Sequence, residues 1–366
     1  MRVCRTLAAS LLALAVCACS EPAPVAANPT PVIGPADDQT MTIVTAAQAY
    51  VASLSPAQMT ASLFAFNDAA QRARWSNLAA GGFERRGVKW ADLNDTQRAR
   101  LSDLLNAVLS DDGVRMIGAQ MAADDYLRDN PDAATPDLAP PPAAPEAPPA
   151  PSAPLFGSGE YYVAFLGAPS VTAPWTLQIG GHHLAINATV VGPHMTLAPS
   201  LTGGQPARFG KNGETFHGVQ AEVTAAQALI DSLTPDLREQ AVVGGQPPDL
   251  LLGPGRDGYT LSAEGLQAKA MTADQKAKLL KLVETRIGLM NANDAAAAMT
   301  KIRADIDKTW FAWFGPAADA SRAYFRVAGP TLHMEFAPQD APAGNHVHAI
   351  YRDPTNDYGR AWAPVR

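Results

Sequence analysis

The chain has 366 residues, 47% of them apolar and 17% charged. That is enough to bury a real core in one large domain or two ordinary ones. A formal net charge of −7 excludes the basic footprint that a nucleic-acid partner requires.

In chain order, Arg2 and Arg5 precede a mostly apolar run from Leu7 to Val16. The run is too short to span a bilayer and reads as a signal peptide over residues 1–18. In Val16-Cys17-Ala18-Cys19-Ser20 a small residue stands directly before Cys19. That pattern resembles the bacterial lipoprotein cleavage box, and plain secretion with cleavage nearby stays open beside it. The cysteines, Cys4, Cys17 and Cys19, all fall in this region. The mature domain is therefore expected to lack disulfides and thiolate metal ligands, so a metal site there must use His, Asp or Glu. The expected location is the periplasm or cell envelope, with the membrane touched only through a lipid on Cys19. Residues 19–40, rich in Pro and Ala, read as a flexible tether.

From about residue 41 onward the sequence predicts a single α+β domain built of two pseudo-repeated halves, about 41–200 and 201–366. The stretch Thr45-Ala46-Ala47-Gln48-Ala49 through Ser53-Leu54-Ser55-Pro56 returns as Thr224-Ala225-Ala226-Gln227-Ala228 through Ser232-Leu233-Thr234-Pro235, with eight of twelve positions identical. Tyr162-Val163-Ala164-Phe165-Leu166-Gly167 is echoed by Trp310-Phe311-Ala312-Trp313-Phe314-Gly315, at a spacing shorter by about thirty residues. A Pro/Ala-rich insertion at about 129–158, with Pro140-Pro141-Pro142 followed by five further prolines, accounts for the difference and reads as disordered.

Each half reads as helices followed by antiparallel strands, the strands sharing one sheet. Ser55-Pro56 and Thr234-Pro235 place a capping oxygen before a proline at the first helical position, and Asn94 and Thr272 are further caps. Helices are expected at 43–53, 56–72, 95–109, 114–128, 223–232, 235–243 and 273–289. Strands are expected at 160–167, 174–180, 183–191, 309–314, 322–328, 331–337 and 346–352, with Gly180-Gly181 and Gly329-Pro330 as hairpin turns.

The chemistry rests on histidine placement. Of seven histidines, four fall in two strand-borne pairs, His182-His183 and His346-Val347-His348. In a strand, residues two apart share a face, so His346 and His348 project together. Adjacent residues face opposite ways, so one of His182 and His183 could join them. Such a set suits Zn, Cu or Fe. Glu335, Asp353 or Asp357 would complete the set or act as base, and Arg352 would donate to an anionic or polar ligand. The bland alternatives are a hydrogen-bonded histidine cluster, and a turn capped by Asp353 and Asp357. His333 is expected at the surface and His194 in a turn, and His217 is a weaker candidate. Arg72 and Arg74 read as solvated arginines at a helix end, with a cleft-facing role as the alternative. The chain lacks a Gly-x-Ser-x-Gly elbow, a His-Glu-x-x-His and a Cys-x-x-Cys.

These stretches together resemble a bacterial family catalogued as domain of unknown function 3500. The likeness runs from about Ala46 to the C-terminus. It is carried by Phe66-Asn67-Asp68 with Arg72 and Trp75, by Tyr161 to Gly167, by Pro174-Trp175 through Gly180-Gly181-His182-His183-Leu184 to Asn187, and by Asn345-His346-Val347-His348 through Arg352-Asp353 to Asp357-Tyr358-Gly359. The chain departs from the family in its Pro/Ala insertion and in Ala337-Pro338-Gln339-Asp340, where members carry a more polar turn. The resemblance implies no assigned activity. Two readings follow: a metal-dependent hydrolase or oxidoreductase, or a non-catalytic envelope protein binding a small polar ligand between its halves.

Overall fold

Capping chemistry written in the sequence starts most of the long helices. The computed structural model describes residues 33–135, 155–211, 214–339 and 345–363. The signal-peptide reading, Cys19 and residues 136–154 of the insertion lie outside them.

In the first half, α1 (Asp38–Ser53) begins where the Asp37 carboxylate accepts the Thr40 amide. Residues 38–40, expected in the tether, are thus helical. α2 (Pro56–Ser62) carries the capping box of Ser55 and Gln58. The expected helix over 56–72 is broken. Leu63–Phe64 forms β1, pairing in parallel with Phe165 and Leu166, and Asp68 caps a new short helix, α3 (Ala69–Arg72). There follow β2 (Val88–Lys89), α4 (Asp95–Val108) capped by Asn94, and α5 (Asp111–Asp129) capped by Ser110. Five strands come next: β3 (Tyr162–Leu166), β4 (Trp175–Gly181), β5 (Leu184–Val191), β6 (His194–Thr196) and β7 (Ser200–Gly204).

β8 (Arg208–Lys211) and β9 (Glu214–His217) form a separate hairpin. The second half runs through α6 (Gln220–Asp231), α7 (Pro235–Ala241), β10 (Val242–Gly244), β11 (Leu266–Gln267), α8 (Ala273–Ile287) and α9 (Ala292–Ala304). It closes with β12 (Trp310–Phe314), β13 (Tyr324–Gly329), β14 (Leu332–Pro338) and β15 (Val347–Arg352). Strands β2 and β6 to β11 and helix α9 were not expected. The strands are each five residues or fewer, and the Ala-rich helix has little apolar contrast for periodicity to detect.

One 13-stranded mixed sheet runs β1-β3-β4-β5-β7-β15-β14-β13-β12-β10, with β2, β6 and β11 paired at its side. The fold is therefore α+β, with strands from both parts of the chain in one sheet. The pairings of β1 and β2 with β3 recur in those of β10 and β11 with β12. The two parts join where β7 and β15 pair antiparallel, Val347 opposite Gly204 and Tyr351 opposite Ser200.

The period-two alternation of strands separates two environments. Val347, Ala349 and Tyr351 of β15, Leu332, Met334 and Phe336 of β14, and Trp175, Leu177 and Ile179 of β4 face the helices, in the main core. Trp175 and Trp313 there are fully buried, each side chain stabilising the fold by roughly 3 kcal/mol. The opposite face is covered by two long segments, 65–87 and 245–265. Trp75, Leu250, Leu252 and Leu261 from these pack on Ala185, Leu201, Tyr324, Ala337 and Ile350 of the strands. Polar residues of this second face are buried between sheet and loops. Among the described residues no helix is long and apolar enough to cross a membrane.

Candidate metal centre

The β4–β5 hairpin does not turn at Gly180-Gly181, as expected. Gly181 pairs with Leu184, so His182 and His183 are themselves the turn residues, and His183 adopts φ +54°. Gly181 has a packing reason instead: a Cβ there would stand 2.5 Å from the Tyr161 ring. The turn is pinned by the Asn77 carbonyl, which accepts the His183 amide at 3.0 Å. From this position the His183 ring reaches β15.

His183 Nε2 lies 3.0 Å from His346 Nε2 and 3.1 Å from His348 Nε2. All three rings are buried, and their ligand atoms fall within 4.8 Å of one another. Gly203, opposite His348 on β7, makes room for this approach. A Cβ on Gly203 would meet Val347 O at 2.3 Å and His183 Cδ2 at 3.0 Å. His182 turns away, its Nδ1 held 2.7 Å from the Asp124 carboxylate of α5. One histidine of the upstream pair therefore joins the downstream pair, and the other does not.

Outer partners hold two of the rings, and one of them fixes a tautomer. His348 Nδ1 lies 3.2 Å from Asp249 Oδ1. A carboxylate only accepts, so Nδ1 carries a proton, and the tautomer this selects directs its Nε2 lone pair inward. His346 Nδ1 lies 3.0 Å from Thr135 Oγ1 and 3.1 Å from the Gln205 side-chain nitrogen. Burial holds the His183 imidazole well below its ordinary value, helped by His182, His348, His346 and Arg85. It is therefore neutral at physiological pH, the form that ligates. Donors placed about 2.0–2.1 Å from a tetrahedral ion stand roughly 3.3 Å apart, close to the spacings seen. The chemistry of three convergent imidazoles fits Zn, and also Cu or Fe.

The remaining sequence candidates hold the loop layer. Glu335 is fully buried, and its carboxylate accepts the amides of Leu251 and Leu252, each at 2.8 Å, and the Tyr324 hydroxyl at 2.6 Å. Burial pushes Glu335 above the usual carboxylate range, and these three donors pull it part of the way back. Arg352 donates to Leu252 O, Gly253 O, Asp257 and Asp357, and lies over the Trp75 ring. Asp353 accepts from the Thr355 amide and hydroxyl, and the Asp353 amide donates to Asp357, the turn reading of this segment.

Three outer expectations are corrected. His333 is 5% exposed, on the loop-facing side of β14 opposite Arg352, and burial pushes its pKa down to about 4. Arg72 is buried, with its guanidinium on the Phe66 carbonyl and ring, because the helix that would have solvated it is broken. His194 opens strand β6 and stacks on Trp362. Asn77, Asp249, Thr135, Gln205 and Gly203 escaped sequence reasoning, since all but Gly203 sit in segments without periodicity.

The chain matches the family model described as "Protein of unknown function (DUF3500)" over residues 36–360, and it belongs to that family. No curated protein and no solved structure matches it.

Proposed function

We propose that this chain is a metalloenzyme whose His183, His346 and His348 hold a divalent transition ion. The observation that carries the reading is the convergence of three buried Nε2 atoms, one of them fixed as an inward lone pair by Asp249. A ring nitrogen offers one lone pair or one N–H, so without a cation His183 Nε2 can make a linear hydrogen bond to only one of its two Nε2 neighbours. A bound Zn would supply an activated water for hydrolysis, and Cu or Fe would supply redox chemistry. The chain's own residues orient the ligands: Asp249 sets one tautomer, and Asn77, its amide 3.3 Å from His348 Nε2, adjoins the coordination space. In this reading Glu335, Arg352 and Asp353 are positioning residues that brace the loop layer.

The test is elemental analysis of the purified chain after dialysis against a trace of mixed Zn, Cu and Fe. Stoichiometric uptake of one metal, lost in His183→Ala and His348→Ala, is expected. A chain that takes up none, and whose thermal stability ignores added ions, refutes the proposal.

We further infer export to the cell envelope. Arg2, Arg5, the Leu7–Val16 run and the Ala18-Cys19 pair support it. The mass of the mature N-terminus tests a lipid on Cys19. The recurrence of Thr45–Pro56 as Thr224–Pro235, with the matching edge pairings, supports an origin of the sheet by duplication.

A further inference from the structure

Arg85 lies in the loop layer, only 7% exposed. Its Nη2 donates to three carbonyls: Ser76 at 2.8 Å, Leu78 at 2.7 Å and Gly181 at 2.9 Å. The first two flank Asn77, which touches both His183 and His348. The third belongs to the hairpin that presents His183. One nitrogen of this guanidinium thus ties together the two elements that frame the histidines.

The other two nitrogens are unspent. Nε and Nη1 are buried and have no hydrogen-bond partner. Among the described residues no carboxylate forms an ion pair with Arg85. Buried Arg72 likewise forms no ion pair among the described residues and rests on the Phe66 carbonyl and ring, but three other buried arginines differ. Arg352 is paired with Asp257 and Asp357, Arg286 with Glu222, and Arg326 with Glu264. A buried cation without a counter-charge is costly, since desolvation is not offset by attraction. The Phe83 ring, 5.3 Å from the guanidinium carbon, offsets part of that cost. Burial pushes Arg85 down to about 10, so it remains charged at neutral pH. The three imidazoles bring no negative charge either.

We propose that Arg85 is the anion-recognising residue of the three-histidine centre, and that the centre's substrate is a small molecule carrying an oxyanion, a carboxylate or a phosphate. An oxygen of that group takes the unpartnered Nη1, supplying the charge and the acceptor that the fold withholds. The inference rests on the metal reading above, which it deepens by naming a substrate class.

The experiment loads the full chain with Co(II), whose visible spectrum responds to changes at the ion. Sodium acetate and inorganic phosphate are titrated separately, against chloride at constant ionic strength. Saturable binding of at least one anion is expected, with affinity at least tenfold weaker in Arg85→Lys while one Co(II) per chain is retained. A response to acetate alone assigns a carboxylate, to phosphate alone a phosphate, and to both a general oxyanion site. Because Arg85 braces two elements, thermal shifts of the unmodified chain with each anion are measured as well. No saturable response to either anion overturns the proposal, as does equal affinity in a folded Arg85→Lys. If the chain takes up no Co(II), the metal reading fails alone. Anion-dependent stabilisation of the metal-free chain, lost in Arg85→Lys, would then still support Arg85, and its absence would overturn it.

Discussion

Replacing Asp249 with Asn tests the metal centre at the one contact that fixes a ligand's tautomer. The Asp249 side chain is 14% exposed, and Oδ1 accepts from His348 Nδ1 at 3.2 Å and from Gln339 at 2.8 Å. A carboxamide can turn its NH2 group toward Nδ1, which moves the ring proton to Nε2 and points it at the ion. Loss of such an outer partner weakens metal affinity by roughly 10–100-fold, or about 1.4–2.7 kcal/mol. The assay is competition for Zn(II) against a chromophoric chelator at neutral pH, alongside urea unfolding of the metal-free chain. The expected result is weaker Zn(II) binding with metal-free stability changed by no more than about 1 kcal/mol. Unchanged affinity would refute the tautomer argument. A metal-free chain that unfolds outright would show Asp249 to be a loop anchor instead.

Gly203→Ala should cost about 3 kcal/mol or more and abolish stoichiometric metal uptake, because its methyl group has no space between Val347 O and His183. Denaturant midpoints and elemental analysis check both. Glu335→Gln places an NH2 group against the amides of Leu251 and Leu252, and should destabilise by roughly 2–4 kcal/mol while metal stoichiometry persists in the folded fraction. Loss of metal with normal stability would count against the bracing role. His183 and His333 are both held below their ordinary value, so between that value and their folded pKa the unfolded chain binds more protons. Stability of the metal-free chain should therefore fall as pH drops below about 6.5, for His333 down to about 4, with a slope of up to about 1.4 kcal/mol per pH unit for each group. Urea midpoints at several pH values, with His333→Gln flattening the curve, provide the check.

Much of the framework was legible because it is local. Ser55, Asn94, Thr234 and Thr272 cap helices where their chemistry demands, and the β12–β15 alternation places its apolar residues against the helices. The link between His346 and His348 is equally local, since a period of two suffices. What was not legible depends on partners distant in sequence. Glu335 between Met334 and Phe336 looks like a stray catalytic carboxylate until Leu251 and Leu252 donate to it. His333 looks exposed unless segment 245–265 is known to cover that face. Gly180-Gly181 resembles a turn because the signal for glycine is the same whether the backbone bends or a Tyr161 ring needs room.

The last strand among the described residues is a middle strand of the sheet. β15 lies between β7 and β14, so until it has emerged from the ribosome each neighbour presents an open edge. The nascent polypeptide consequently holds two incomplete sheets, each able to recruit a stray strand from another chain. Translation that stops shortly before Val347 should yield aggregates rather than a smaller soluble product, and segregated expression of the two parts should restore solubility only when both are present together.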